Sequence, residues 1–152
     1  MRKLALFVAL MATALALGPA LAHLFELPNK IGLSKDDYFT VQQIYRGWNL
    51  LGLVLMLQLL SIVATILTAR DDRRLRRLAT IALLCLAGAQ GVFWAFTFPA
   101  NTATVNWTTQ PGNWETLRHH WEYSHAAGAL LQLAGMACLV LAALGDKRSP
   151  LS

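Results

Sequence analysis

Apolar residues run along this chain in four long blocks, and the polar positions cluster in the gaps between them. The blocks predict helical spans at about residues 4–24, 47–69, 76–98 and 114–145. The innermost stretches carry no charge and few amides: Gln58 in the second, Gln90 in the third and Gln132 in the fourth. At about 1.5 Å per residue, twenty residues cross the roughly 30 Å hydrocarbon core of a bilayer. The expected fold is an all-α, integral membrane four-helix bundle in a single domain, 1–152, with short connections and one longer loop before the fourth span. Ser34 is placed to cap an amphipathic segment from Lys35 to Arg46, with Asp37 in its first turn, and Asn113 to cap the fourth helix.

Composition sharpens this picture. The chain has 152 residues, 56% hydrophobic and only 14% charged, whereas soluble domains carry about 25% charged residues. A disordered chain, a collagen and a disulfide scaffold are excluded. The net charge of +5 does not indicate nucleic acid, because the basic residues flank apolar spans. Arg2, Lys3, Arg70, Arg73, Arg74, Arg76, Arg77, Lys147 and Arg148 share one side, and only Lys30, Lys35, Arg46 and Arg118 the other. The positive-inside rule then places both termini in the cytoplasm. It also puts the opposite end on the periplasmic or outer side of a bacterial-type inner membrane.

The first block also fits a signal peptide ending at Ala20-Leu21-Ala22, which would make His23 a new N-terminus. Its length and its smooth continuation into His23–Pro28 favour a retained helix. Cys85 and Cys138 fall mid-span and read as small apolar fillers.

Proton-active side chains gather at the end opposite the basic cluster. His23, His119, His120 and His125 all lie there, with Glu26, Asp36, Asp37, Glu115 and Glu122. On a helix, Trp114, Arg118, Trp121 and His125 fall within an arc of about 60°, and Gln132 extends that stripe. Glu122 stands one turn after Arg118, a spacing that suits an ion pair. Gln90, Trp94, Thr97 and Asn101 form a second stripe, and Gln42, Arg46 and Asn49 a third. Pointing inward, these would line a polar pocket walled by indoles, between the first, third and fourth spans. Ionisable groups within a span are costly and tend to mark function. Interfacial anchoring of Trp107, Trp114 and Trp121 and simple helix stitching are the structural alternatives.

A metal site is another reading of the same residues. His23 with Glu26, and Glu122 with His125, are i, i+3 pairs that antiparallel helices bring to one depth. The second and third spans supply no further carboxylates, so a di-metal carboxylate centre is not expected. The alternative is a mononuclear metal held by His23, Glu26, Glu122 and His125.

The pattern Pro99-x-Asn101, Trp107, Pro111, Trp114, Arg118, Trp121 and Glu122-x-x-His125, after three apolar spans, resembles the anthrone oxygenase-like family. These are four-helix membrane proteins, mostly of unknown function, whose fungal members oxidise anthrones to anthraquinones. The resemblance covers the architecture of nearly the whole chain and is concentrated in Asn101 to His125. The stretches His23–Pro28 and Ser34–Asn49 depart from it. It implies an oxygenase acting on a small aromatic substrate with O₂, His125 being the base, Glu122 its orienting partner, and Arg118 or Asn101 the oxyanion holder. Trp114 and Trp121 would stack on the substrate, with Trp94, Trp107 and Gln132 completing the wall. The competing class is a non-catalytic membrane protein that binds a partner or a lipophilic ligand. Membrane lipid is the one partner common to all readings; oligomeric state is left open.

Overall fold

A heptad seam organises the first helix and carries it beyond the predicted boundary. In the computed structural model, which describes residues 1–145, α1 spans Arg2–Lys30 and continues through Pro19 and Pro28. Lys147 and Arg148, counted above among the basic residues of one side, lie outside the described residues. Leu6, Ala9, Thr13, Ala16, His23 and Lys30 are buried at spacings of three and four or their sum. Such spacing keeps one stripe facing a neighbouring helix along a gently supercoiled contact. The stripe does not stop where the residues turn polar, so His23 and Lys30 are carried inward by the same seam that buries Ala9 and Ala16.

Lys35–Gln42 forms α2, a short strap across one end, and Leu51–Thr68 forms α3. The strap begins as predicted, with Ser34 Oγ accepting the Asp37 amide at 3.3 Å. Two short 3₁₀ turns, Gln43–Tyr45 and Trp48–Leu50, lead into α3 around Gly47, whose φ of +89° suits a residue without a Cβ. Arg73–Val92 forms α4, capped by Asp72, whose carboxylate accepts the Leu75 amide at 2.9 Å. A π-turn over Phe93–Thr97 joins α4 to the short α5, Phe98–Ala103. The last helix, α6, spans Trp114–Leu144. Asn113 precedes it but makes no side-chain capping bond, so that expectation is corrected.

Four helical stretches are long and apolar enough to cross a membrane: Arg2–Lys30, Trp48–Thr68, Arg73–Ala103 and Trp114–Leu144. Their packing is inverted relative to a soluble bundle. Ala79, Ala82, Ala89, Gly135, Thr13, Thr65, Gln58 and Gln132 are buried, whereas Leu4, Phe7, Leu53, Leu60, Leu84 and Leu130 are largely exposed. Small residues inside and large apolar ones outside suit lipid as the surrounding solvent. The approach of α4 and α6 is close: a Cβ on Gly135 would stand 3.2 Å from the Leu86 side chain and 3.5 Å from the Ala82 carbonyl. Gln58 donates to Gln132 at 2.9 Å in the bundle interior, which satisfies two amides that lipid could not.

The two ends of the bundle differ in chemistry. Arg2 lies 3.9 Å from Asp72, which brings the start of α1 to the α3–α4 connection. Arg74 reaches Gly145 at the end of α6, so all these segments share one end. The strap α2, the α5–α6 loop and the start of α6 occupy the other.

Candidate functional site

At the strap end, α1 and α6 present their seams to one another, and the strap lies over them. His23, Glu26 and Lys30 recur at intervals of three and four residues on α1. From α6 come Trp114, Arg118, Trp121, Glu122 and His125. From the strap and the turn after it come Tyr38, Tyr45 and Trp48.

Lys30 is the centre of this cluster and is only 4% exposed. Its ammonium donates to the Tyr45 hydroxyl at 2.8 Å and pairs with Glu26 and Glu122, each at 3.3 Å. It also lies 4.8 Å from the ring centroids of both Tyr45 and Trp121. Two carboxylates and two aromatic faces therefore replace the water an ammonium would otherwise hold. Glu122 is fully buried and accepts the Tyr38 hydroxyl at 3.0 Å through the oxygen that also faces Lys30. Its second oxygen is buried without a partner. The Tyr45 hydroxyl donates to Glu26. Burial first, then the Glu122 charge and hydrogen bond, hold the Tyr38 phenol well above its usual range. Burial and the bond to Glu26 do the same to Tyr45. Both phenols thus stay protonated, as donors to carboxylates.

Behind Lys30 the two imidazoles meet. The rings of His23 and His125 have centroids 4.2 Å apart, and Trp121 lies 4.2 Å from His125 and 5.0 Å from His23. Tyr45 and Trp48 close the other sides of His23 at 4.6 and 5.4 Å. His23 Nδ1 is buried without a hydrogen-bond partner. His125 is half-buried, and the small residues Ala126, Ala127 and Gly128 follow it.

Above Lys30 sits an apolar layer of four aromatic residues, Tyr38, Phe39, Trp107 and Trp121, with Leu117, all buried. Asn101 ties it together, because its single side-chain oxygen accepts both indole N–H groups, Trp107 at 3.1 Å and Trp121 at 2.9 Å. Trp107 reaches that position through three successive left-handed residues, Val105, Asn106 and Trp107, with φ of 50°, 52° and 62°. Such backbone costs about 1–2 kcal/mol per non-glycine residue and persists only where surrounding contacts over-determine it. Here the Thr104 hydroxyl accepts the Trp107 amide at 3.0 Å, and the Asn106 amide reaches the Asn101 carbonyl at 2.7 Å.

Asn101→Leu is therefore expected to leave both buried indole N–H groups unpaired and to destabilise the strap end by about 2–4 kcal/mol. Thermal unfolding followed by tryptophan fluorescence measures this; an unchanged midpoint and an unchanged spectrum would show that neither indole depends on the amide.

Several expectations are corrected by this geometry. Arg118 and Glu122 do not pair with each other among the described residues. Arg118 is itself buried, donates to the Leu33 carbonyl at 2.8 Å, and lies over the rings of Trp114 at 4.6 Å and Tyr38 at 5.5 Å. Glu122 is taken by Lys30 and Tyr38, so it does not orient His125 by hydrogen bonding. Trp94 is 59% exposed and packs against Phe93 and Phe98 on the outer surface. The π-turn is the cause, since its extra residue per turn breaks the stripe that began at Gln90. Gln132 is buried with Gln58 deeper in the bundle, away from the rings. Of the predicted second-span stripe, Gln42 is buried with both amide atoms unpartnered, whereas Arg46 and Asn49 are exposed. His119 and His120 are exposed as well.

The metal reading finds no cradle among the described residues, where no group of three or more His, Cys, Asp and Glu side chains is placed to hold an ion. Lys30 stands between the carboxylates of Glu26 and Glu122, where a cation would otherwise have to lie. His23 and His125 face each other beside this pair rather than joining it. Lys30 itself was missed as a site residue, because its charge and the nearby Pro28 read as a loop. The legible signals were its i, i+4 spacing from Glu26 and its place one heptad after His23.

The fold and its inverted packing define an integral membrane four-helix bundle with a buried ionic and aromatic site at one end. No protein-family model, curated protein or solved structure matches the chain.

Proposed function

We propose that this protein is an integral membrane oxygenase that oxidises an activated methylene of a small, apolar aromatic substrate. In this reading the basic end faces the cytoplasm and the site lies on the opposite side of the membrane. The observation that carries it is the close pair of imidazoles, His23 and His125, packed on the Trp121 indole, which is also in contact with the buried Lys30 ammonium. A planar lipophilic substrate entering from the bilayer beside His125 would stack in the same manner as the rings already there.

His125, the less buried of the two imidazoles, takes a proton from the methylene carbon. The resulting carbanion is delocalised onto the substrate's carbonyl oxygen, and Lys30 supplies the positive charge that this oxygen needs. The carbanion combines with O₂, and with the returned proton gives a hydroperoxide. Loss of water leaves a second carbonyl, so each methylene consumes one O₂ and releases one water. Lys30, which lies against Trp121, takes the place of Arg118 as the cation; its donors are held by Tyr45, Glu26 and Glu122, so it acts on the oxygen through its charge and not by a hydrogen bond. Asn101 becomes a positioning residue that holds Trp121.

The test is oxygen uptake by the protein in lipid nanodiscs with a tricyclic aromatic ketone bearing a doubly benzylic methylene. Uptake well above that of empty nanodiscs, with one O₂ consumed per methylene, is expected. Uptake equal to the empty-nanodisc background would defeat the oxygenase reading.

One observation favours a second reading, a non-catalytic bundle whose strap end is a clasp. Lys30 is fully engaged by residues of α1, α6 and the segment after α2, so the cluster is self-sufficient as a fastening. Under that reading the nanodiscs show no uptake, and substitutions in the cluster change stability alone.

A further inference from the structure

The opposite end of the bundle carries a separate feature. Between the first turns of α4 and the last turn of α6 lies a depression of about 530 Å³ lined by Arg73, Arg74, Arg77, Leu78 and Leu141. The three arginines are exposed, and none has a side-chain hydrogen bond or ion pair among the described residues. Of the two acids that precede them in the chain, Asp72 is engaged by the Leu75 amide and by Arg2, and Asp71 is exposed with no ion pair among the described residues. Leu141 is 50% exposed and Leu78 half-buried, so the floor of the depression is apolar and continues down the outer face of the bundle.

We propose that this depression is a binding site for an anionic phospholipid of the adjoining leaflet, with its phosphate among Arg73, Arg74 and Arg77 and an acyl chain along Leu78 and Leu141. Charge complementarity carries the choice of occupant. Three neighbouring guanidiniums with no ion pair among the described residues repel one another, and a phosphate accepts their forked donors in the geometry they favour. The apolar floor selects a lipid over a free anion, since a soluble phosphate leaves the leucines uncovered. The position agrees, because these arginines stand at the end of a span, where headgroups meet hydrocarbon. This inference is independent of the oxygenase reading and involves none of its residues.

Native mass spectrometry of the purified full chain, offered phosphatidylglycerol and phosphatidylcholine in equal amounts, tests the site. The wild type is expected to retain phosphatidylglycerol over phosphatidylcholine by about tenfold or more. The variant R73Q/R74Q/R77Q should lose that preference, whereas K3Q/R70Q/R76Q, with the same change in net charge at the same end, should keep it. Inorganic phosphate at millimolar concentration should not displace the lipid. Equal loss in both triple variants would reduce the effect to diffuse electrostatics and overturn the site. Displacement by inorganic phosphate, or no lipid preference in the wild type, would overturn it too. Should the first triple variant fail to fold, Arg73→Gln and Arg77→Gln singly carry the same comparison against Arg76→Gln.

Discussion

Lys30→Met is expected to destabilise the bundle by about 3–5 kcal/mol, the range for removing one partner of a buried ion pair. The substitution conserves length and apolar bulk but deletes the one cation paired with Glu122 among the described residues. That carboxylate is fully buried, has a single remaining donor in Tyr38, and already has one oxygen without a partner. The loss on the Glu26 side adds little, because that side chain is 38% exposed and water screens it. The double variant K30M/E122Q should recover most of the loss, since it removes the stranded charge along with its partner. Unfolding in mixed micelles, followed by near-ultraviolet circular dichroism, measures both. A single variant within about 1 kcal/mol of wild type would mean that Glu122 is not held by Lys30.

His125→Ala is expected to lower the rate of oxygen uptake by about a hundred- to ten-thousandfold, the usual contribution of a general base. The protein should remain folded, because among the described residues no hydrogen bond of the imidazole ties it to another element and its contacts are with neighbouring rings. His23→Ala serves as the comparison. His23 is buried and packed on four rings, so its loss should reduce stability, while His125 remains as the base. Full activity in His125→Ala would remove His125 from the mechanism. Equal loss in the two variants would assign the base to the pair and not to His125 alone.

The membrane bundle was legible because its signal is long and redundant. Twenty apolar residues in a row need no partner to identify them, and the described helices match the four predicted spans within a few residues at most ends. The α6 stripe was legible for a similar reason. Trp114, Arg118, Trp121 and His125 sit on one seam, and helical spacing alone places them on one face. The Ser34 cap is equally local, needing only a hydroxyl three residues before an amide.

The errors share a different cause. The expected Arg118–Glu122 pair was a statement about one helix in isolation, where residues four apart are neighbours and nothing competes. In the folded chain Glu122 meets Lys30, separated from it by most of the sequence, and a buried ammonium outcompetes a guanidinium that can reach a carbonyl and two rings elsewhere. Trp94 was assigned inward on a regular helical period, which the π-turn at Phe93–Thr97 interrupts. Local spacing predicts which side chains share a face, not which way a turn is wound.

The amino-acid sequence by itself determined the number of spans, their lengths, the seam on α6 and the contrast between a basic end and an end rich in histidine and acid. Those properties follow from hydropathy and helical period, which neighbours in the chain suffice to set. Only the tertiary structure decided that Lys30 is a core residue, that His23 stacks on His125, and that Asn101 joins two indoles. Each of these depends on the packing of one helix or loop against another. The energy of a charge or a polar atom is settled by which distant groups replace its water, and that is known only once the helices have met.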